Sequence, residues 1–458
     1  MDINDLYSSN ITVSSVTASQ ASFGTPGILA QFAAGTKGFA ASGLGSRAKT
    51  YTSLAALLAD GWAATDSVYL AAQAAFRQSP HASKVMVGRI DSGDASIAVS
   101  GAAIRAESDD WYTFEVVGYR SVKFTLSTDL ITGNIVASTI NGLTIAPVTY
   151  ATSHAATMAA WLVAIQAVFP GATGVVAGDN LTVTLVGTDL NSGTVSVTGG
   201  ASQPTNVTTY ILTKAPIQGW MDWAEAQIKV LLVSDSDVAS YAAPTGNQST
   251  ACFMEYVKLK AYRRSVVIFH QTPGEYIGMS AAGLELAYTP GIRTWAFKNY
   301  AGCSPDILTP TQDQSIRAKN GNTYTQVYGA GGATGVVMAF AGTCGKDQTY
   351  IDDVRGTDWL SSKIQTDQLN LSVANPKIPY NDAGIQVRVE TLRGSLKAAQ
   401  ANTILDPLTD PVITYPKASD CSPTDKANRV LNGVSWTGSY AGAIQTMPIT
   451  GTISFPLT

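Results

Sequence analysis

From Leu130 to Thr213 the chain carries only two charged residues, Asp179 and Asp189. Thr, Val, Gly and Ser dominate the stretch. Disordered linkers are rich in charge and poor in apolar residues, so a segment of this composition has to fold. The piece LTVTLVGTDLNSGTVSVTGG (181–200) alternates apolar and small polar residues, the period of half-buried strands. It predicts a hairpin with turns at Gly187–Asp189 and Asn191–Gly193. One helix is predicted inside the stretch, over HAATMAAWLVAIQAVF (154–169). Composition shifts at Asp91 and shifts back near Lys214. Residues 91–214 therefore read as a β-rich domain inserted into something else.

The flanks have a different pattern. FGTPGILAQF (23–32) predicts a strand, and 51–62 and 65–79 predict helices, the second with Thr65 and Asp66 as caps. Val68, Leu70, Ala71, Ala75 and Phe76 give that helix one apolar face. KVMVGRI (84–90) predicts a strand, and a strand after two helices points to an α/β layer. The pattern resumes at 220–237, a helix feeding the strand Lys229–Val233. SVVIFH (265–270) and RTWAFKN (293–299) predict further short buried strands. Thr309 before Pro310 is a cap followed by a first-turn proline, so a helix starts there. A long helix is expected over 381–405, where Ile385, Val389, Leu392 and Leu396 form a stripe. Residues 1–20 and 429–458 show no helical period and read as extended arms. The expected order is an arm at 1–20, an α/β core at 21–90 and 215–428, the insert between, and an arm at 429–458.

The chain has 458 residues, net charge −4, 45% hydrophobic residues and only 14% charged residues, against ~25% in ordinary soluble domains. Interface cores are depleted in charge, so self-assembly is the expected reason for this composition, with a Ser/Thr-rich monomer as the alternative. Without a basic excess, nucleic acid is not an expected partner. MDINDLYSSNITVSSV lacks the basic start and apolar centre of a signal peptide, and no long apolar run predicts membrane insertion. Cys252, Cys303, Cys344 and Cys421 are scattered, which favours free thiols over disulfides or zinc.

Motifs for chemistry are weak. His81, His154 and His270 show no metal-ligand spacing. His270 ends an apolar strand, a place where α/β enzymes put catalytic groups, but no Ser or Cys motif accompanies it. GTCGKD (342–347) has Phe340 where a phosphate loop needs glycine and Asp347 where it needs Ser or Thr. YGAGGATG (328–335) follows a helix rather than opening one. Asp352, Asp353 and Asp358 could bind a divalent ion. The simpler expectation is a helix starting at Thr357–Asp358, with Leu360, Ile364 and Leu371 in a stripe and Lys363 paired to Asp367. No cofactor and no metal are expected.

Several stretches together resemble tail sheath proteins of contractile-tailed bacteriophages. They are FGTPGIL, TWAFKNYAGCSPDILTPTQDQSIRAKNGNTYTQV, YIDDVRGTDWLSSKIQTD, NPKIPYNDAGIQ and YAGAIQTMPITGTIS, which span about 20–90 and 215–458. The resemblance implies an α/β core with an outward-facing insert and terminal arms that add strands to neighbouring subunits. It implies a homo-oligomer of hexameric rings stacked as a helical sheath around a tail tube protein, with baseplate and tail terminator proteins as further partners. Such a sheath is assembled in the host bacterial cytoplasm, belongs to the virion tail, and contracts to drive the tube through the host envelope. Ile11, Val13, Ile449, Ile453 and Phe455, which alternate as one strand face, are the candidate inter-subunit contacts. Arg393 and Lys397 are candidates for facing the tube. Two other readings stay open: a hydrolase-like α/β enzyme using His270 with Asp352, Asp353 and Asp358, and a non-contractile virion component.

Overall fold

The computed structural model describes residues 22–91, 96–244, 252–328, 334–340, 349–445 and 447. Two compact units divide the chain, a larger one whose main span is Ser22–Arg355 and a smaller one that includes Gly356–Gly442.

The larger unit is built on an eight-stranded sheet. Its first strands are β1 (Pro26–Gln31), β2 (Ala48–Tyr51), β3 (Val85–Ile90) and β4 (Thr113–Val116). Seven further strands, β5 to β11, belong to the insert. The sheet resumes with β12 (Val230–Asp235), β13 (Ser265–Phe269), β14 (Asn322–Tyr328) and β15 (Thr334–Phe340). The order is β15-β14-β13-β12-β4-β1-β3-β2. The six central strands run parallel, and β2 and β15 pair antiparallel at the two edges. Parallel strands are covered on both faces, so they are continuous apolar runs. VMVGRI of β3 and SVVIF of β13 are buried along their whole length. Trp111, Phe114, Trp220 and Trp223 anchor the core. The Trp111 and Trp223 rings stack at 5.9 Å, and Trp220 meets Trp223 edge-on at 5.4 Å. Gly101, in the helix Ile97–Glu107, makes room for them: a Cβ there would lie 2.4 Å from the Trp223 ring.

The insert has its own core. Its strands are β5 (Arg120–Leu126), β6 (Ile135–Ile140), β7 (Leu143–Thr149), β8 (Thr173–Ala177), β9 (Asn180–Thr184), β10 (Gly193–Thr198) and β11 (Asn206–Leu212). They form two antiparallel sheets, β11-β5-β9-β8 and β10-β6-β7. The helix His154–Val168, capped by Ser153, supplies Met158, Trp161 and Ile165 to the core, beside Val122, Phe124 and Leu181.

Three expectations are corrected here. The expected boundary at 91 is too early, because the helix Ile97–Glu107 and β4 belong to the core. Residues 181–200 do not form one hairpin: β9 pairs with β5 and β8, whereas β10 pairs with β6. Alternation fixes which face a residue occupies, not which strand lies beside it. Residues 293–299 are no strand; Trp295 and Ala296 are buried in an irregular segment.

In the smaller unit, the helix Asp382–Ala401 is capped by Asn381 and buries Ile385, Val389, Leu392 and Leu396, all four positions of the expected stripe. The helix Ile351–Ala374 begins earlier than expected. Asp352 and Asp353 occupy its first turn, where the helix dipole favours acids, and Thr357 and Asp358 lie inside it. Val412–Thr414 and Ser435–Thr437 pair as a short antiparallel ribbon, β16 and β17.

The insert leaves and returns at one point. Arg120 pairs with Leu212 across β5 and β11, and the Thr213 N–H donates to the Tyr119 carbonyl at 2.9 Å. Replacing 120–212 by a short turn, together with Tyr276→Phe to avoid orphaning a hydroxyl, is expected to leave the eight-stranded sheet folded. Far-UV circular dichroism and limited proteolysis check this; a protease-sensitive, unfolded product is the contrary outcome.

Candidate functional site

His270 follows β13 at the carboxyl end of a parallel strand. Its side chain is buried between two carboxylates. Nε2 is 2.8 Å from Glu275 Oε2, and Nδ1 is 3.0 Å from Asp306 Oδ1, an ion-pair contact whose angle is poor for a hydrogen bond. Both carboxylates are held by backbone. Ser304 N–H donates to Glu275 Oε2 at 2.5 Å and its hydroxyl to Oε1 at 2.9 Å; Gln271 N–H donates to Asp306 Oδ1 at 2.7 Å. Burial pushes the His270 pKa down, but the flanking carboxylates outweigh it and the net shift is upward. Burial raises Glu275, while His270 and Ser304 pull it down further, so it is lowered overall.

Cys303 lies in the same cluster, its Sγ within 4.8 Å of the His270 and Glu275 ligand atoms. The group has the composition of a thiol nucleophile site or a metal site, and its electrostatics oppose both. Burial pushes the Cys303 thiol up to about 11, so it is protonated at neutral pH and a weak nucleophile. The Arg77 guanidinium sits 3.4 Å from Sγ and also donates to the Glu275 carbonyl at 2.8 Å and to Ser280 Oγ at 3.1 Å. That fixed positive charge beside the thiol disfavours a second cation in the cluster. Gly302 (φ +72°) leaves room for the guanidinium; a Cβ there would come within 2.6 Å of Arg77. The cluster is a staple joining the end of β13, the 273–275 turn, the 303–306 loop and the end of the helix Ser67–Phe76. His270 thus takes Glu275 and Asp306 as its carboxylates, not Asp352, Asp353 or Asp358. Asp352 is raised to about 6 by burial and by the charge of Asp353.

A second polar knot, absent from the expectations, joins insert to core. Asp189, one of the two charges of the uncharged stretch, is buried. Its Oδ1 accepts from the N–H groups of Gly118 (3.0 Å) and Arg120 (2.8 Å), and its Oδ2 accepts from the Tyr276 hydroxyl (2.9 Å). Its own N–H donates to Ser67 Oγ at 2.8 Å. The Arg120 guanidinium donates to Asn191 Oδ1 and to the carbonyls of Pro273 and Ser234. Glu115, buried alongside, is raised to about 7, chiefly by desolvation.

In the smaller unit several expected surface charges instead join its two long helices. Lys363 pairs with Asp367 at 2.6 Å, and Asp367 also accepts from Ser395 Oγ. Arg388 donates to Gln368 and Ser372. Arg393 makes an exposed pair with Glu390 at 3.3 Å, and Lys397 is exposed. Ile11, Val13, Ile449, Ile453 and Phe455 lie outside the described residues, as does Cys344. No helix among the described residues is long and apolar enough to cross a membrane.

No protein-family model and no curated protein sequence matches the chain. Solved structures do. A chain of the anti-feeding prophage (AFP) baseplate, from a six-fold symmetrised cryo-EM structure, matches with TM-score 0.53 and 9% identity over 98% of both chains. The AFP helical sheath in its contracted state gives 0.52 and 10% over 99% of both chains. The contracted PVC sheath complex of an extracellular contractile injection system gives 0.50 and 11%, over 97% of this chain and 96% of that one. Likeness at such identity establishes the fold: end to end, the chain has the fold found in these contractile-system proteins.

The ionisation pattern has a definite sign. His270 is raised, so its contribution is complete below its unfolded pKa near 6.5 and is lost as pH rises through its folded value. Glu115 and Glu285, both raised to about 7 mainly by burial, act in the same direction. Glu275 is lowered; its contribution is present above pH 4.5 and lost as pH falls through its folded value. The melting temperature of the larger unit should therefore be higher near pH 5.5 than near pH 8, and Glu115→Gln should flatten the slope. Calorimetry across this range checks it; a melting temperature that rises with pH is the contrary result.

Proposed function

We propose that this chain is the structural subunit of a contractile tail sheath. Copies assemble as stacked hexameric rings around a tail tube, and the sheath shortens to drive the tube through a target envelope. The observation that carries this is the match in fold along nearly the whole chain to AFP and PVC sheath proteins. The low charge content fits a surface largely covered by other copies. The insert, with its own core and a two-strand stem, faces outward. The tube, baseplate and tail terminator proteins are the partners, and the sheath is put together in the cytoplasm of the producing bacterium. The chain serves either a phage virion tail or a phage-like injection particle; the AFP and PVC likenesses favour the second. In a phage tail the tube would conduct the genome, in an injection particle another cargo.

The arms at 1–20 and 429–458 tie neighbouring copies by strand addition through Ile11, Val13, Ile449, Ile453 and Phe455; within the second arm Ser435–Thr437 already pairs with β16 of its own copy, which leaves 447–458 for the exchange. Backbone hydrogen bonds of ~1 kcal/mol net each hold while the rigid cores turn. Negative-stain microscopy of concentrated protein should show rods or stacked rings. Dispersed particles at every concentration would point to the enzyme reading, and smooth rods that never shorten to a non-contractile component. Removing 1–20 or 447–458 should leave a folded monomer, judged by its thermal unfolding, that forms no long rods; full-length rods from a truncated chain would refute strand exchange.

Arg393 and Lys397 supply polar contacts to the tube, which a sliding assembly needs to be few and weak. Reversing both charges should lower sheath assembly on purified tubes several-fold, as expected for exposed pairs worth about 0.2–1 kcal/mol each. Unchanged assembly in a tube-templated assay would place the tube against another surface.

A further inference from the structure

A cleft of about 670 Å³ opens in the smaller unit. Small-molecule sites are of this size, roughly 300–1,000 Å³. One wall is the loop 376–380, in which Lys377 and Ile378 stand between Pro376 and Pro379. Prolines fix their own φ, so the loop loses little freedom when a ligand meets it. Gly384, in the first turn of the helix Asp382–Ala401, lets the loop close on that helix: a Cβ there would lie 1.9 Å from the Pro379 carbonyl oxygen. Another wall is the segment at and after the end of the helix Pro423–Asn428. The Tyr380 hydroxyl donates to the Val430 carbonyl at 3.0 Å and ties the two walls together.

Two chemistries meet in the cleft. Its floor is apolar: Ile385 is buried, and Tyr380 and Leu431 pack against the cluster it belongs to. Its rim is cationic. Lys377, Lys426 and Arg429 are exposed, and Arg388 is half-buried and held by Gln368 and Ser372. No carboxylate lines it. Among the described residues, the side chains of Lys377, Lys426 and Arg429 have no hydrogen-bond or ion-pair partner, although the chain as a whole is acidic. Arg429 also occupies the left-handed position at the end of its helix (φ +58°), where glycine is the unstrained residue. Backbone strain of this kind persists at sites of function, and here it keeps a cation on the rim.

We propose that this cleft binds a nucleoside di- or triphosphate. The phosphates take the rim, where arginine forks and lysine ammonium groups suit a multivalent oxyanion. The base lies on the apolar floor beside the Tyr380 ring, a face on which a flat heterocycle stacks. A bare oxyanion would leave the floor wet, and an apolar molecule would leave the cations unanswered. No carboxylate or histidine lines the cleft to hold a magnesium ion or orient an attacking water. The nucleotide is therefore bound and not hydrolysed.

The full, unassembled chain is titrated by isothermal calorimetry with ATP and, separately, with inorganic triphosphate, so the result stands whether or not rods form. Saturable ATP binding is expected, weakened by salt. Arg429→Gly should weaken it about tenfold, the loss of one charge-assisted contact. That substitution should keep or raise the melting temperature, since glycine relieves the left-handed strain, so lost binding is not lost folding. ATP should bind about tenfold tighter than inorganic triphosphate, although triphosphate carries the greater charge, and Tyr380→Leu should close that gap. No saturable ATP binding, or binding indifferent to Arg429→Gly, overturns the site. Triphosphate binding as tightly as ATP overturns the nucleoside and makes a free polyphosphate the ligand.

Discussion

Asp189 takes two backbone N–H groups and the Tyr276 hydroxyl onto one buried carboxylate, and the attachment of the insert to the core depends on it. An unpaired buried charge costs several kcal/mol. Here each oxygen has a donor, and the donors come from both sides: Gly118 and Arg120 at the root of the insert, Tyr276 before a core helix. Burial holds the Tyr276 phenol well above its ordinary pKa, so it remains a donor. Gly187 lets the two bodies touch; a Cβ there would lie 2.2 Å from the Gln31 carbonyl at the end of β1. The insert is therefore seated on the core as well as strung from it.

The staple around His270 uses the same physics on the other side of β12. Arg77, Glu275, Asp306 and His270 are charged or chargeable, removed from water and mutually compensated. Arg355 is a third case, buried and donating to the carbonyls of Phe23, Glu285 and Tyr288. In each case a long-range ionic or hydrogen-bonded contact pins irregular backbone that regular secondary structure does not hold. Such pins keep the larger unit one body. Their components also show why the cluster resembles an active site: groups of the kinds that catalyse are used here to hold one another in place.

The pieces legible in the sequence are those whose signal is local. The stripe on the helix Asp382–Ala401, the Thr309 capping box and the apolar runs of β3, β12 and β13 all state their structure within a few residues. β4 was hidden because WYTFEVV lies past the composition change at Asp91, and composition does not say that a strand returns to an earlier sheet. The segment 293–299 was misread because burial of Trp295 looks the same in a loop as in a strand. The staple and the knot were invisible for one reason. Their members come from residues 77, 270, 275 and 303–306, and from 67, 118–120, 189–191 and 276, separations no spacing rule covers. One signal was available: a single aspartate inside a long uncharged stretch is costly unless something meets it, which marks Asp189 as a residue with a partner.

The low charge content thus has two sources. Many of the charged residues the chain does carry are spent inside it, as with Glu115, Arg120, Asp189, Glu285, Asp306 and Arg355. What remains outside is sparse, and on the long helices of the smaller unit most of it is already paired, Lys363 with Asp367 and Arg393 with Glu390. Against such a neutral background an uncompensated group of cations stands out more than it would on an ordinary surface. Lys377, Lys426 and Arg429 are such a group, over an apolar floor and with one of them held in a strained backbone. Lys397 and Lys417 are exposed as well, but they do not share a cleft with an apolar floor.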